Sequence, residues 1–523
     1  MLDDLRMFAR FAAGLGGFLR QRTSVEECRR GLEQGLARRE ESFLNVVERA
    51  IYRCPGSPYR ALLEWAGVTL GDLAILVRKE GIEATLERLC DAGVYLSLEE
   101  FKGRQPVRRN GLEIQAGERD NPLLARHFEA RTGGSRSLGR RVVIDFGLLA
   151  HDALVHGLFL HAADLLRSPM AIWRSVPPGS AGLKRCLMHA KLGLRMERWF
   201  TQNKWGLRSG SPKSFLFTAG AVYGSRLLGN PLPVPEYTPL AEAGRVARWL
   251  AAKRQDGSPA HLDTNVSSAI RVCQAASQLG LDIAGSFLRL GGEPLTPSRV
   301  GIIQELGCRV FCHYSLGEVG TAGVGCVDRT QPDEVHLLLD KLAIIPRLRV
   351  AGDSGRRVES LHLTTLLPIG PKIMLNVDSG DCGVLETRRC ACPFGQLGFQ
   401  RHIHSLRSYE KLTSEGMQFL GLDFLTLFEE ILPRTFGGNP TDYQFVEDDR
   451  EGLPQVSLFV SPRLGPLDER QLVQTVLSFL GSRSRGDRMM AERWQQGRTL
   501  EVVRQDPLTT PASKILALHV RRP

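Results

Sequence analysis

Four short stretches of this 523-residue sequence carry residue types suited to chemistry on phosphate and carboxylate groups. The first is Arg131-Thr132-Gly133-Gly134-Ser135-Arg136-Ser137. Small residues there let backbone N–H groups approach phosphate oxygens, while the hydroxyls and arginines add donors. An ordinary surface loop has the same composition. The second is Gly291-Gly292-Glu293-Pro294-Leu295-Thr296, with Tyr314-Ser315-Leu316-Gly317-Glu318-Val319-Gly320 following it. The glycines suit a strand end turning into a loop at the rim of a sheet, where α/β proteins place ligands. A carboxylate at that rim can hold magnesium beside a nucleotide, because magnesium takes few protein oxygens. Helix N-terminal charge is the plainer role for Glu293 and Glu318. The third stretch is Asp378-Ser379-Gly380-Asp381-Cys382-Gly383, with Arg407 downstream. A carboxylate in a Gly-flanked turn can accept both ribose hydroxyls of a nucleotide, and a simple Asp-Gly turn is the alternative. The fourth is Thr510-Pro511-Ala512-Ser513-Lys514, whose lysine, taken alone, reads as a solvated tail charge.

A second constellation is Cys390-Ala391-Cys392 with Cys326 and His336 upstream. Zinc favours four such sulfur and nitrogen ligands in a closed structural site. Cys-x-Cys is less diagnostic than Cys-x-x-Cys, and buried free thiols are common. Cys308 and Cys312 fall on a strand-like run and read as core. His151, His156 and His161 recur every five residues, which does not place them on one helical face. His402 and His404 read as surface positions near residue 407.

The elements that must position these residues follow from periodicity. Residues 1 to about 110 read as mostly helical, with apolar residues at three- and four-residue intervals over Val25–Arg53 and Thr69–Cys90. From about 140 to 370, strand-like runs (Val142–Phe146, Ser214–Thr218, Ser286–Leu290, Val310–Tyr314) alternate with helical ones (Pro239–Lys253, Val266–Leu279). That alternation predicts an α/β architecture with a substantial sheet. Beyond residue 407 a small α/β unit is expected, with helices at Leu420–Leu432 and Glu469–Leu480 and a strand at Gln455–Phe459. The expected layout is a large N-terminal domain followed by a small C-terminal one, changing near residue 407.

Composition narrows the function classes. The hydrophobic fraction of 42% and charged fraction of 24%, without long runs of one sign, describe a folded chain with a sizeable core. The excess of 68 Lys and Arg over 57 Asp and Glu is thinly spread. No zinc-finger or RNA-recognition signature accompanies it, so no nucleic-acid partner is expected. The apolar stretch Phe8–Leu19 is interrupted by Arg10 and too short to span a membrane, and it reads as a surface or docking helix. Eleven cysteines without a secretory pattern point to reduced thiols in the cytoplasm. No nucleophile-elbow pattern supports a hydrolase.

The order of the four motifs resembles the adenylate-forming superfamily of acyl-CoA synthetases, and most closely its phenylacetate–CoA ligase-like branch. The resemblance lies in Thr132–Ser137, Gly291–Leu295, Tyr314–Glu318, Ser379–Asp381, Leu406–Glu410 and Ser513–Lys514, and spans about residues 125 to 517. It implies a large N-terminal α/β domain over 1–406, a hinge at 407–410 and a small mobile α+β domain over 411–523. It also implies an ATP- and magnesium-dependent, AMP-forming ligase acting on an aryl or acyl acid. By resemblance, Thr132, Gly133, Gly134 and Ser135 hold phosphates. Gly292, Glu293, Pro294, Tyr314, Ser315, Gly317, Asp381 and Arg407 surround the nucleotide, with Asp381 and Arg407 on the ribose. Glu318 holds magnesium and Lys514 meets the developing charge. His261 and Asp263 line the acid pocket, with His313 beside them, and members of that branch place a cysteine–histidine group like Cys326, His336, Cys390 and Cys392 here. Coenzyme A is the implied acceptor and a homodimer the implied assembly. A carrier-protein thiol, an amine, or nitrite activation for diazotisation are alternatives, as is a non-catalytic binding protein on the same fold. The sequence departs from the family at Arg136, Ser137, Ser315, Gly317, Tyr409 and Ser513, which leaves the acid and the acceptor open.

Overall fold

The computed structural model describes all residues except 1, 116, 118–119, 132–140, 180, 207–211, 352–355, 409–412, 415–416, 419–420, 451–452, 483–499, 510–513 and 521–523. Two short antiparallel pairs come first in the chain, β1 (Val107–Arg109) with β2 (Leu112–Ile114) and β3 (Phe128–Arg131) with β4 (Arg141–Ile144). The central sheet then begins with β5 (Met170–Trp173), β6 (Met196–Thr201), β7 (Pro235–Tyr237), β8 (His261–Thr264), β9 (Phe287–Gly291) and β10 (Arg309–Leu316). Every residue of β5, β8 and β9 is buried. Strands covered on both faces read as continuous apolar runs, and parallel neighbours need long crossovers, here helices such as Ala243–Gln255 and Val266–Gln278.

The parallel block is ordered β10-β9-β8-β5-β6-β7. Beyond β10 the sheet continues antiparallel through β11 (Gly320–Gly325), β12 (Val335–Leu337), β16 (Arg401–Ser408), β15 (Val377–Thr387), β14 (Arg356–Thr365) and β13 (Leu342–Ala351). In the parallel block the chain builds outward from β5 to β7, then returns and builds the other way from β8 to β10. Strand order therefore reverses between β5 and β8. In open parallel sheets, the crevice outside the carboxyl ends of the strands at such a reversal is where ligands bind.

The N-terminal segment is helical, as its periodicity predicts. The helix Leu2–Arg20 lays Phe11 and Phe18 against Phe128, Phe146 and Phe217, so this expected docking helix docks on the chain's own core. The helix Leu70–Asp91 breaks its regular geometry at Gly81, where φ is 82°. No described helix is long and apolar enough to cross a membrane.

The last part of the chain has a separate core of Phe424, Phe428, Phe445, Leu458, Leu472 and Val476. Its sheet runs Leu500–Arg504, Leu453–Val460, Tyr443–Arg450, Leu518–Val520, and the helix Glu469–Gly481 packs beside it.

Three expectations from the sequence need correction. Ser214–Thr218 is helical, within Pro212–Leu227, where Phe217, Thr218, Ala221, Val222 and Ser225 form one buried stripe. A five-residue apolar run fits either period, and the longer spacing decides. Asp378–Asp381 is no turn, because it lies within β15, paired on both sides. Its glycine relieves a local irregularity (Gly380 φ 74°) in a strand that otherwise continues. His402 and His404 are buried, at 0% and 9% exposure, because β16 lies inside the sheet.

Candidate functional site

The parallel strands β8, β9 and β10 end along one edge, which brings their following residues together. After β8 comes Asn265, N-cap of the helix Val266–Gln278. After β9 comes Gly292 with φ 84°, and after β10 come Gly317 and Glu318. Neither glycine of the Gly291-Gly292 pair accepts a side chain without adjustment, Gly291 because of the His313 ring and backbone and Gly292 because of its φ of 84°. A β-carbon at Gly291 would lie 2.6 Å from the His313 ring, and one at Gly292 would lie 2.8 Å from Lys514 Cε and 2.9 Å from Nζ. Lys514, from the far end of the chain, therefore rests on the turn that closes β9.

One hydroxyl contributes to its placement. The backbone N–H of Ile515 donates to Ser267 Oγ at 3.3 Å, and Ser267 Oγ donates to Glu293 Oε1 at 2.7 Å. The Ser267 N–H donates to Glu293 Oε2 at 2.9 Å. Glu293 thus serves the N-terminus of the helix Val266–Gln278, where a carboxylate is favoured. The Pro294 carbonyl accepts from Arg299.

On the neighbouring edge, the Tyr314 hydroxyl donates to Asp381 Oδ2 at 2.9 Å. Burial, then the Asp381 carboxylate, holds the phenol well above its ordinary range, with Glu318 adding to the effect. Ser315 is exposed, and Gly317 and Glu318 are half-buried. Arg407, on β16 opposite Cys382, is held at 3.4 Å by Asp333, which also accepts the Ser405 and Leu406 N–H groups. Thr132, Gly133, Gly134 and Ser135 lie outside the described residues. The strands that flank them, β3 and β4, border a cavity of about 400 Å³ reached by Arg141, Lys213 and Ser214.

At the strand reversal, His261, Asp263 and His313 converge, together with a group the sequence reading did not identify. Arg174, Arg185 and Arg289 surround the Asp263 carboxylate, with their Nε atoms at 2.8, 2.9 and 4.0 Å. Arg289 Nη1 also meets His156 Nδ1 at 2.7 Å, and His156 Nε2 meets His189 at 3.2 Å. Burial alone would raise Asp263, but Arg185 and Arg174 hold it below the carboxylate range. His156, His261 and His313 are driven well below their ordinary value by burial, with the arginines contributing, so they are neutral. The available signal was an arginine inside an apolar run, Phe287-Leu288-Arg289-Leu290, since a charged residue is almost never buried without a partner.

The sulfur cluster assembles where β12 meets the Cys390–Cys392 segment. His336 Nε2 lies 3.0 Å from Cys392 Sγ and 3.6 Å from Cys390 Sγ. Cys390 Sγ lies 3.3 Å from Cys392 Sγ and 3.9 Å from Cys326 Sγ. One donor atom from each of the four residues falls within 4.8 Å of the others. His336 Nδ1 faces the Phe399 carbonyl at 2.7 Å, which fixes the tautomer that turns Nε2 towards the thiols. The donor set, three thiols and one imidazole, fits a closed zinc site. Cys308 and Cys312 are buried core thiols, as their strand-like run suggests.

A buried ion pair joins the two units. Arg299 Nε lies 2.9 Å from Glu429 Oε1, and the Thr296 hydroxyl donates to Glu429 Oε2. Glu429→Ala leaves Arg299, among the described residues, only Glu293, at 3.8 Å, as counter-charge. The cost is expected towards the lower end of the about 3–5 kcal/mol for breaking a buried pair. Amide hydrogen exchange should then accelerate over residues 293–304 and 427–432 while β8 to β10 stay protected. Unchanged exchange there would show that the pair does not hold the units together.

No protein-family model and no curated protein matches the chain. Among solved structures, a 2-hydroxyisobutyryl-CoA ligase in complex with 2-HIB-AMP and CoA aligns over 93% of this chain and 89% of its own, at 15% identity and a TM-score of 0.43. An anthranilate CoA ligase in complex with anthranoyl-AMP aligns over 83% and 74%, at 11% identity and 0.42. An amide bond synthetase from Marinactinospora thermotolerans aligns over 96% and 98%, at 12% identity and 0.40.

Proposed function

We propose that the chain is an AMP-forming adenylating ligase of the phenylacetate–CoA ligase-like branch of the adenylate-forming superfamily. It activates an acid with ATP and passes it to a second acceptor, coenzyme A first among the candidates. The observation that carries this reading is the packing of Lys514 on Gly292, across an edge where Tyr314 and Asp381 also meet. A cation held over a glycine turn at the carboxyl ends of parallel strands suits the union of two anions, an acid and a triphosphate.

In the first step an oxygen of the acid attacks the α-phosphorus of ATP. A new P–O bond forms, the bond to the bridging oxygen breaks, and pyrophosphate leaves with that electron pair. The protein's tasks are positioning and charge stabilisation. Lys514 meets negative charge on the α-phosphate and the acid oxygens. Asp381, oriented by the Tyr314 hydroxyl, accepts the ribose hydroxyls, and Arg407, carried on the adjacent strand, supports that side. Thr132, Gly133, Gly134 and Ser135 hold the outer phosphates. Glu318 would hold magnesium, which when bound neutralises phosphate charge. In the second step the acceptor nucleophile attacks the activated carbonyl, and AMP leaves with the bond to its phosphate oxygen. For that step the small unit, residues 411–523, turns about 407–410 and withdraws Lys514.

Cys326, His336, Cys390 and Cys392 hold a structural zinc ion in this reading, remote from the chemistry. The test of function is pyrophosphate release with ATP and magnesium across a panel of acids, with and without coenzyme A. Release dependent on one acid supports adenylation, and its response to coenzyme A bears on the acceptor. No release with any acid, despite ATP binding, favours a binding protein on the same fold.

Gly292→Ala offers a sharper check. A side chain there meets Lys514 at 2.8 Å and must adopt a φ of 84°, a conformation that costs roughly 1–3 kcal/mol in a non-glycine residue. Pyrophosphate release is expected to fall at least about tenfold, with a melting temperature lowered by about 2–12 °C at about 2–4 °C per kcal/mol. Normal release would mean that Lys514 does not work from this position.

A further inference from the structure

We propose that Arg174, Arg185 and Arg289 form a buried anion subsite that takes the second carboxylate of a short dicarboxylic acid. This rests on the adenylation reading, because it names the far end of the acid that reading activates.

Charge counting motivates it. Three guanidiniums, at 7%, 7% and 1% exposure, face one carboxylate, Asp263. The neighbouring histidines are neutral and offer no compensation. Asp152, the other carboxylate whose charge reaches Arg289, is already engaged by Lys341 at 2.7 Å and by the N–H and hydroxyl of Thr321. Burial and Arg185 both pull Arg289 below its ordinary value, as expected of a cation short of counter-charge.

Unfilled hydrogen-bonding capacity is a second, independent sign. Arg174 spends its donors on Asp263, Asn265 and the Thr264 carbonyl. Arg185 reaches Asp263 through Nε and His156 through Nη1, and Arg289 reaches His156 through Nη1. Neither Arg185 Nη2 nor Arg289 Nη2 has a protein acceptor among the described residues. Arg289 Nε, both ring nitrogens of His261, and His313 Nδ1 are buried without a hydrogen-bond partner. Asp263 Oδ2 is likewise without a hydrogen-bond partner, and buried polar groups are ordinarily satisfied, so such a concentration of open polar atoms beside three guanidiniums marks a place for a ligand. A planar carboxylate matches the guanidinium fork.

Location supplies the rest. Arg174 follows β5 and Asp263 closes β8, so the cluster stands at the strand reversal. Arg289 and Gly291 are two residues apart on β9, on one face and roughly 7 Å apart along the strand. The His313 ring lies against Gly291, next to the turn on which Lys514 rests, and feels the charge of Arg289. A short diacid would place its activated carboxylate at Lys514 and its distal one among the arginines. Length and distal charge together would exclude simple aryl and fatty acids.

The test is binding by the full chain, without ATP, of malonate, succinate and glutarate, each against its monoamide, by calorimetry and thermal shift. One dicarboxylate should bind and raise the melting temperature, with its monoamide about 10- to 100-fold weaker. Arg289→Gln should abolish that preference. Should that variant not fold, Arg185→Lys serves, and the wild-type comparison of diacid with monoamide needs no variant. Equal binding of diacid and monoamide, or no binding of any diacid, overturns the subsite. Pyrophosphate release is then measured with the same acids. Binding with the diacid preference but without release keeps the subsite and sinks adenylation. Release with monocarboxylic acids only keeps adenylation and sinks the subsite.

Discussion

Lys514→Ala is expected to lower acid-dependent pyrophosphate release by about 10²- to 10³-fold, the usual loss when one preorganised charge stabiliser is removed. That corresponds to about 2.7–4 kcal/mol of transition-state stabilisation. ATP binding should change far less, because Asp381, Tyr314 and the phosphate-loop residues remain. The ammonium sits over Gly292, which has no side chain to displace it, and the neighbouring Ile515 N–H fixes the main chain to Ser267. Lys514→Arg should recover little. A planar guanidinium is larger than an ammonium, and the contact at Gly292 is already tight. The measurement is initial-rate pyrophosphate release at saturating ATP, with ATP affinity determined separately. Loss of nucleotide binding in the alanine variant would assign Lys514 to ground-state binding and weaken the proposed role. Wild-type release would remove it from the chemistry.

The second large effect is expected at the sulfur cluster. Elemental analysis of purified protein should find one zinc per chain, and Cys392→Ala should lose it. Structural zinc in small peptides contributes about 10–16 kcal/mol to folding. Here the large core carries most of the stability, so a loss of roughly 4 kcal/mol is expected. That corresponds to a fall of about 8–16 °C in melting temperature at about 2–4 °C per kcal/mol, and towards the lower figure for a chain of this size. A strong chelator should reproduce the fall, and added zinc should reverse it. Protein that is fully stable and contains no zinc as isolated would contradict the assignment.

What the sequence disclosed depended on whether the signal was local. Strand β9 and its glycine turn were legible because an apolar run ending in paired glycines has one natural place in a parallel sheet. The four metal-type ligands were read as a group because their donor set is the one zinc favours and because the family resemblance places such a group here. Asp381 was misplaced into a turn because Asp-Ser-Gly-Asp has turn composition. Pairing with β14 and β16 overrides local preference there. Ser214–Thr218 failed for the opposite reason, its window being too short to show a helical period. The arginine cluster was the real omission. Arg174, Arg185 and Arg289 are 11 and 104 residues apart in sequence, and only the order of β5, β8 and β9, with the helix Ala181–Lys191 packed on β5, joins them. The approach of Lys514 to Gly292 was available only through family resemblance, since nothing local in Ser513-Lys514 points to a residue over 200 positions earlier.

Two of the contacts between the large and small units differ in what it takes to part them. At the Lys514 end, one of the contacts is a 3.3 Å hydrogen bond from the Ile515 N–H to Ser267, and the Ser267 hydroxyl keeps Glu293 as a partner when it goes. At the other end, parting Arg299 from Glu429 bares two buried ions at once. Breaking the first contact strands no buried charge, whereas breaking the second does. If the small unit turns as proposed, the ion pair is therefore the costlier of these two contacts to part.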